Sequence, residues 1–370
     1  MQHKERRISL DLYRILCMFL ITTVHIDGYS KLLRVIDLGH YNFYLLNVLS
    51  VFQRFSITGF VLISAYFLVD SADTRKKIIS FWLQLIFFSL TIFLLVCGLD
   101  PAAFSMKYLF KSLFPVFSYH YWYPVSYLIL LIFAPIINKF IKALSRKELL
   151  TTILLLGFFV SVFFHLNPCF DETVFIGHYS HSLILFLFLY LIAGYIRLHG
   201  VQRPTLLGPV LFLICGVALF LLFTVKNIAN RGDDAQAGVV SFFQQVNLLS
   251  YNSLLPVLLA VSSFITFLNL KATPPRWLHS VVRFLVPATF GVYLIQEHNV
   301  LRTAIWTRIN IRQYAHSPWL LPMMLLIFLC LFAASLGIQL LYRLAHKLFL
   351  GKLEKALFHW TDRIASRFHR

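Results

Sequence analysis

Residues 75–98 read RKKIISFWLQLIFFSLTIFLLVCG. Three cations come first, and no charge follows through residue 98. About 20 predominantly apolar residues in a helix cross the hydrocarbon core of a bilayer, and Lys and Arg gather at the cytoplasmic end of such a helix. This stretch therefore predicts a transmembrane helix that enters from the inner side. It decides the fold class, because the rest of the chain repeats its pattern.

Of the 370 residues, 59% are hydrophobic and only 13% charged, with 38 phenylalanines. A soluble domain carries roughly a quarter charged residues. Ten apolar segments are long enough to cross, near 8–27, 44–69, 78–98, 122–141, 149–165, 182–199, 206–225, 250–270, 284–301 and 318–342. The expected fold is all-α, a polytopic membrane protein of about ten transmembrane helices. With the amino end inside, the inner segments hold more than twice as many Lys and Arg as the outer ones, which places both termini in the cytoplasm.

The formal net charge of +18 does not point to nucleic acid, because the cations sit in short clusters between apolar runs, not along one stripe. The five cysteines show no metal-ligand spacing, and no metal is expected. The amino end has basic residues before an apolar run. It lacks a small-x-small cleavage site, and Asp11 and Arg14 interrupt the run, so it reads as a retained first helix. Two domains are expected: residues 1–349 as the membrane bundle and 350–370 as a basic amphipathic tail. In that tail Leu353, Leu357, Trp360, Ile364 and Phe368 recur every three or four residues, the pattern of a helix lying on the inner leaflet. A frayed polar tail is the alternative.

Ionisable groups inside spans tend to face a cavity or a partner. Four stand out: Arg14 and His25 in the first span, Arg54 in the second and Glu297 in the ninth. Arg14 and His25 are eleven residues apart, which leaves them within about 20° of one helix face and about 16 Å apart along the axis. One face thus offers a fixed cation in the inner half and a titratable imidazole near the outer end. An imidazole can take a proton from a hydroxyl and return it. Singly, each has a plainer reading: His25 as a histidine wetted at a helix end, and Arg14 as a snorkelling cation or a partner of Asp11. Glu297 falls at about the depth of His25 and could orient it. Equally, it could pair with Arg302 or Arg54, and Arg54 could simply mark the outer end of its span.

Arg75, Lys76 and Lys77 at a helix start suit phosphate binding, or are ordinary cytoplasmic charge. His120, Tyr121, Trp122 and Tyr123 read as an interfacial aromatic belt. His165, His178 and His181, around Asp171 and Glu172, read as solvated loop residues.

Together these stretches resemble acyltransferase family 3, membrane proteins that move acyl groups onto surface carbohydrates. The resemblance rests on LDLYRILCMFLITTVHIDGYS (10–30), with Arg14 and His25, and on FSITGFVLISAYFL (55–68), where Ala65 takes a glycine place. It continues in HYWYPVSYLILLIFAPIIN (120–138) and TFGVYLIQEHNVLR (289–302). In the last segment Gln296 stands where the family pattern has His, so that role would pass to Glu297 or His298.

The resemblance implies a stand-alone enzyme in a bacterial plasma (inner) membrane. Its donor would be an acyl-CoA, most simply acetyl-CoA, used as a substrate with no bound cofactor. The acceptor would be a carbohydrate, a cell-envelope polysaccharide or its lipid-linked precursor. On this reading His25 and Glu297 are catalytic, and Arg14, Arg75, Lys76 and Lys77 bind the donor. Arg54, Trp122 and His298 are candidate lining residues. Two alternatives stay open: a transporter or lipid-linked glycan flippase, and succinyl in place of acetyl.

Overall fold

A computed structural model describes residues 8–118, 121–163, 165, 183–201, 206–231, 238, 247–270 and 274–368. Among them every regular element is helical. The longer helices are α1 (Ile8–Ser30), α2 (Leu32–Val35), α3 (Tyr41–Leu68), α4 (Arg75–Leu99), α5 (Met106–Leu113), α6 (Trp122–Ala143), α7 (Arg146–Phe158) and α8 (Leu183–His199). After these come α9 (Leu207–Ala229), α10 (Leu254–Asn269), α11 (Arg276–Leu285), α12 (Thr289–Glu297), α13 (Arg302–Arg308), α14 (Leu320–Ala345) and α15 (Gly351–Phe368).

Among the described residues seven helical stretches are long and apolar enough to cross a membrane, and α8 and α10 are shorter apolar helices. Each expected span overlaps a described helix, and three are built differently from the sequence reading. The fifth is α7 followed by a π-helical turn over Phe159–Phe163. The eighth begins only at Leu254, because residues 247–253 form buried turns. The ninth is a longer rod that starts at Arg276 and is interrupted at Val286–Ala288. Pro287 supplies no N–H there, so the chain tightens into a 3₁₀ turn between α11 and α12. Arg276 and Arg283, assigned to a loop from the sequence, lie on α11.

Helix ends follow local chemistry. Ser145 begins α7 with a capping box: its hydroxyl accepts from the Glu148 amide, and the Glu148 carboxylate accepts from the Ser145 amide. Two orphan donors are thereby satisfied between α6 and α7. At the end of α4, Asp100 accepts from the Ala102 amide, and Pro101 follows it.

The helices group into two compact units: Met1–Val69, Ile141–Val286 and Asn310–Leu326 in the first, and Asp70–Phe140, Pro287–Ile309 and Ile327–Arg370 in the second. In the first, α3 is the hub, packed by α1, α8, α9 and α10. α1 also packs on α10 and on α11, where Ile8, Leu12 and Ile15 meet Leu278, Val282 and Val286. Gly59 lets α1 approach α3, since an added Cβ would strike the Tyr13 ring and the Cys17 sulfur. In the second unit α4 carries α5, α12 and α15. Gly291 of α12 leaves no room for a methyl against Ser335 and Phe88.

α15 is a helix with Leu353, Trp360 and Ile364 exposed. It packs back on α4, where Arg75 donates to Asp362 at 3.1 Å and lies over the Phe358 ring.

Candidate active site

The first unit holds Arg14, His25 and Arg54. Both Arg14 and His25 are half-buried on α1, and helix geometry keeps them on one face about 16 Å apart. The Arg14 guanidinium lies 5.8 Å from the centre of the Phe60 ring of α3. One residue earlier, Tyr13 is fully buried, its hydroxyl 2.6 Å from Ser263 of α10, and it stacks on Phe267. These contacts fix the rotation of α1, and with it the direction in which Arg14 and His25 point.

Further out, Gln53 of α3 donates to Thr23 of α1 at 3.2 Å and sets the two helices in register. Arg54 follows on α3 and lies about 20 Å along the helix from Tyr41. It is therefore inside the span and does not mark its outer end. Its guanidinium lies over two rings, 4.9 Å from Phe223 of α9 and 5.0 Å from Tyr251. An arginine at a span centre costs about 3 kcal/mol. Two cation–π contacts at about 0.5–2 kcal/mol each offset much of that. Asp27 and Lys226 lie within Coulombic range of Arg54. Sequence reasoning missed Asp27, Tyr251 and Lys226. Asp27 sat two residues after His25 as a titratable group on the same helix, and that signal was available.

The second unit holds the other candidates. Arg75 is bound by carboxylates on two sides, Asp73 at 2.8 Å and Asp362 at 3.1 Å. The Arg75 hydrogen bonds hold the Asp73 carboxyl below its usual range. Lys77 donates to the Ser71 hydroxyl, and Lys76 and Lys77 are exposed. A phosphate arriving here meets two lysines directly, and for Arg75 it competes with the tail.

Tyr121 and Tyr123 do not form the expected lipid-facing belt. Both are buried, and both rings meet Tyr293 of α12, at 6.2 and 5.9 Å. Trp122, half-buried, stands edge-on to Tyr123 at 5.8 Å. These aromatics bind α6 to α12 by ring packing. His120, His178, His181, Asp171 and Glu172 lie outside the described residues. His165 is buried at 3% exposure, which corrects its reading as a solvated side chain.

Glu297, at the end of α12, pairs with Arg302 at 3.5 Å, one of the two partners the sequence offered. Glu297 belongs to the second unit and His25 to the first. His298 is fully buried. Its Nδ1 accepts from the Val300 amide at 3.3 Å, so its Nε2 carries the hydrogen and donates to the Ser89 carbonyl at 3.0 Å. With both ring nitrogens committed, His298 is held neutral in one tautomer. That arrangement suits a support for the turn after α12 better than a proton acceptor.

One helix therefore presents a cation and an imidazole at two depths, and a second unit presents exposed cations at a helix start. On one helix face a guanidinium is a group that binds an anion and an imidazole a group that accepts a proton. No curated protein and no solved structure matches the chain. Residues 7–343, nearly its whole length, match the family described as the acyltransferase domain. That span takes in all four motif segments, and the chain belongs to acyltransferase family 3, as a multi-pass membrane acyltransferase.

Proposed function

We propose that the protein transfers an acetyl group from cytoplasmic acetyl-CoA to a hydroxyl of a cell-envelope polysaccharide, in a bacterial plasma membrane. The observation that carries this reading is the single face of α1. It offers Arg14 and His25 about 16 Å apart on a helix whose rotation is fixed by Tyr13. An extended pantetheine arm spans a distance of that order, so a donor anchored at the inner end would bring its thioester near the imidazole.

In the proposed reaction His25 takes the proton of the sugar hydroxyl as its oxygen attacks the thioester carbonyl. The tetrahedral species collapses with cleavage of the C–S bond. The thiolate of CoA leaves, recovers the proton from the imidazolium, and an acetyl ester remains on the glycan. Arg14, Lys76 and Lys77 supply charge for the donor phosphates, and Arg75 joins them when it exchanges a carboxylate for a phosphate. Transfer through an acyl-histidine would use the same residue as nucleophile.

The test is transfer of radiolabelled acetyl from acetyl-CoA in membranes, wild type against His25→Ala at equal protein levels. Ester-linked label in a carbohydrate fraction with wild type alone is the expected result. Equal label from the variant would remove His25 from the reaction. Succinyl-CoA added as a competitor reads the acyl preference.

A further inference from the structure

Arg54 differs from three other arginines of the first unit. Arg231 donates to the Leu33 and Ile36 carbonyls, Arg312 to the Ser30 carbonyl, and Arg146 to the Tyr195 hydroxyl. Among the described residues no group accepts a hydrogen bond from the Arg54 side chain, its Nε is buried without an acceptor, and no carboxylate lies in ion-pair contact with it. Phe223 and Tyr251 cover the guanidinium from its ring-facing sides. What remains available is the in-plane edge, a fork of N–H donors that matches a planar or tetrahedral oxyanion.

The surroundings of Arg54 are built from irregular backbone. Tyr251 belongs to the buried turns 247–253, yet it reaches Arg54 at the level of Phe223, about 9 Å below the outer end of α9. Those turns are held from within, by Ser253 donating to the Leu248 and Ser250 carbonyls and by a 2.7 Å bond between Ser250 and Asn252. They are also held from α7, where Asn252 donates to the Val160 carbonyl of the π-helical turn. In the same turn the Ser161 hydroxyl is buried without a hydrogen-bond partner. Two departures from α-helix thus meet at one place within the spans. Non-helical backbone at membrane depth is tolerated where it is buried in protein or lines a polar cavity. The local charge is also one-sided: Arg54 and Lys226 against Asp27.

We infer that Arg54, clamped by Phe223 and Tyr251 and seconded by Lys226, is a binding site for an oxyanion, a carboxylate or phosphate carried by the acyl acceptor. That the acceptor carries it rests on the proposed function; that the site takes an oxyanion does not. Asp27 limits the positive charge and keeps the site from holding any anion indiscriminately. The acceptor's reacting hydroxyl would then be presented from a second point of attachment, apart from the donor. An acceptor with its acidic group removed would lose that anchor.

The test uses the purified full chain in nanodiscs. Thermal stability is measured with a glucuronic-acid oligosaccharide, with its carboxyl-reduced form and with a polyprenyl phosphate, for wild type, Arg54→Gln, Arg54→Lys and Lys226→Gln. A stabilisation of wild type by the acidic oligosaccharide, lost on reduction and in Arg54→Gln, assigns a sugar carboxylate. Stabilisation by the polyprenyl phosphate, lost in the same variant, assigns the lipid carrier's phosphate. Equal responses of wild type and Arg54→Gln to every probe overturn the inference. If Arg54→Gln does not fold, Arg54→Lys and Lys226→Gln take its place and are read the same way.

Kinetics supply the second readout. Acceptor KM should rise about tenfold or more in Arg54→Gln, with the acetyl-CoA KM unchanged. An unchanged acceptor KM also overturns the inference. Absence of acetyl transfer by wild type would count against the proposed function alone, because the stability measurements still read the site.

Discussion

Arg54 in the first unit and Arg75 and Arg302 in the second are treated in opposite ways. In the second unit Arg75 is bound by Asp73 and Asp362, and Arg302 by Glu297. In the first, Arg14 and Arg54 rest against aromatic rings. A carboxylate neutralises a cation, and any other anion must compete with it. A ring lowers the cost of burial but leaves the charge and the N–H donors in place. Arg54 is thus stabilised without being used up, as a site for an anionic substrate requires.

Breaking the first unit should have the larger effect. His25→Ala is expected to lower acetyl transfer by about a thousandfold, the scale of a lost general base, while fluorescence-detected size exclusion shows an unchanged peak. Activity near wild type would shift the proton transfer elsewhere. Arg14→Ala comes next, with acetyl-CoA affinity falling about tenfold. Isothermal titration with a non-hydrolysable acetyl-CoA analogue checks it, and unchanged affinity would detach Arg14 from the donor.

Glu297→Gln sharpens the contrast. If the carboxylate serves only its pair with half-exposed Arg302, Glu297→Gln and Arg302→Gln should cost little and equally, within about 1 kcal/mol in thermal unfolding, and leave kcat alone. A fall in kcat for Glu297→Gln but not for Arg302→Gln would give the carboxylate a part in the chemistry. The smallest effect is expected from Asp362→Asn. By freeing one edge of Arg75 it should lower the acetyl-CoA KM by no more than a few-fold, and a raised KM would contradict the proposed competition.

The Asp73–Arg75 pair carries a pH signature. The Asp73 carboxyl is held low by Arg75, so its contribution is present above the ordinary carboxylate pKa of about 4 and is lost as pH falls through the lowered value. At neutral pH the contact is therefore intact.

Much of this was legible from the chain. Apolar length gave the all-helical membrane class, and a spacing of eleven residues put Arg14 and His25 on one face, because both depend on helix geometry alone. What was not legible depends on partners distant in sequence. Tyr121 and Tyr123 have the composition of an interfacial belt, and only Tyr293 and His298, some 170 residues later, reveal that they face inward. The late start of α10 and the π-turn of α7 are set by how residues 247–253 pack against Val160, and local apolarity is blind to that. Arg54 was read as an ionisable group inside the second span with its outer end as the alternative, and a helix that begins at Tyr41 removes the alternative.

Gly59 and Gly291 give the family motifs a meaning in terms of tolerance to substitution. Along α3 and α12 most apolar side chains are buried, and at such positions one aliphatic can replace another of similar volume at a cost of about 1 kcal/mol. At these two positions the room for even a methyl is taken by Tyr13 and Cys17, and by Ser335 and Phe88. A saturation library scored for folded protein at the membrane should therefore show two columns that reject even alanine, among neighbours that still accept aliphatic exchange. Those columns would mark where helices touch backbone to side chain, and so where a distant relative must also keep its smallest residue.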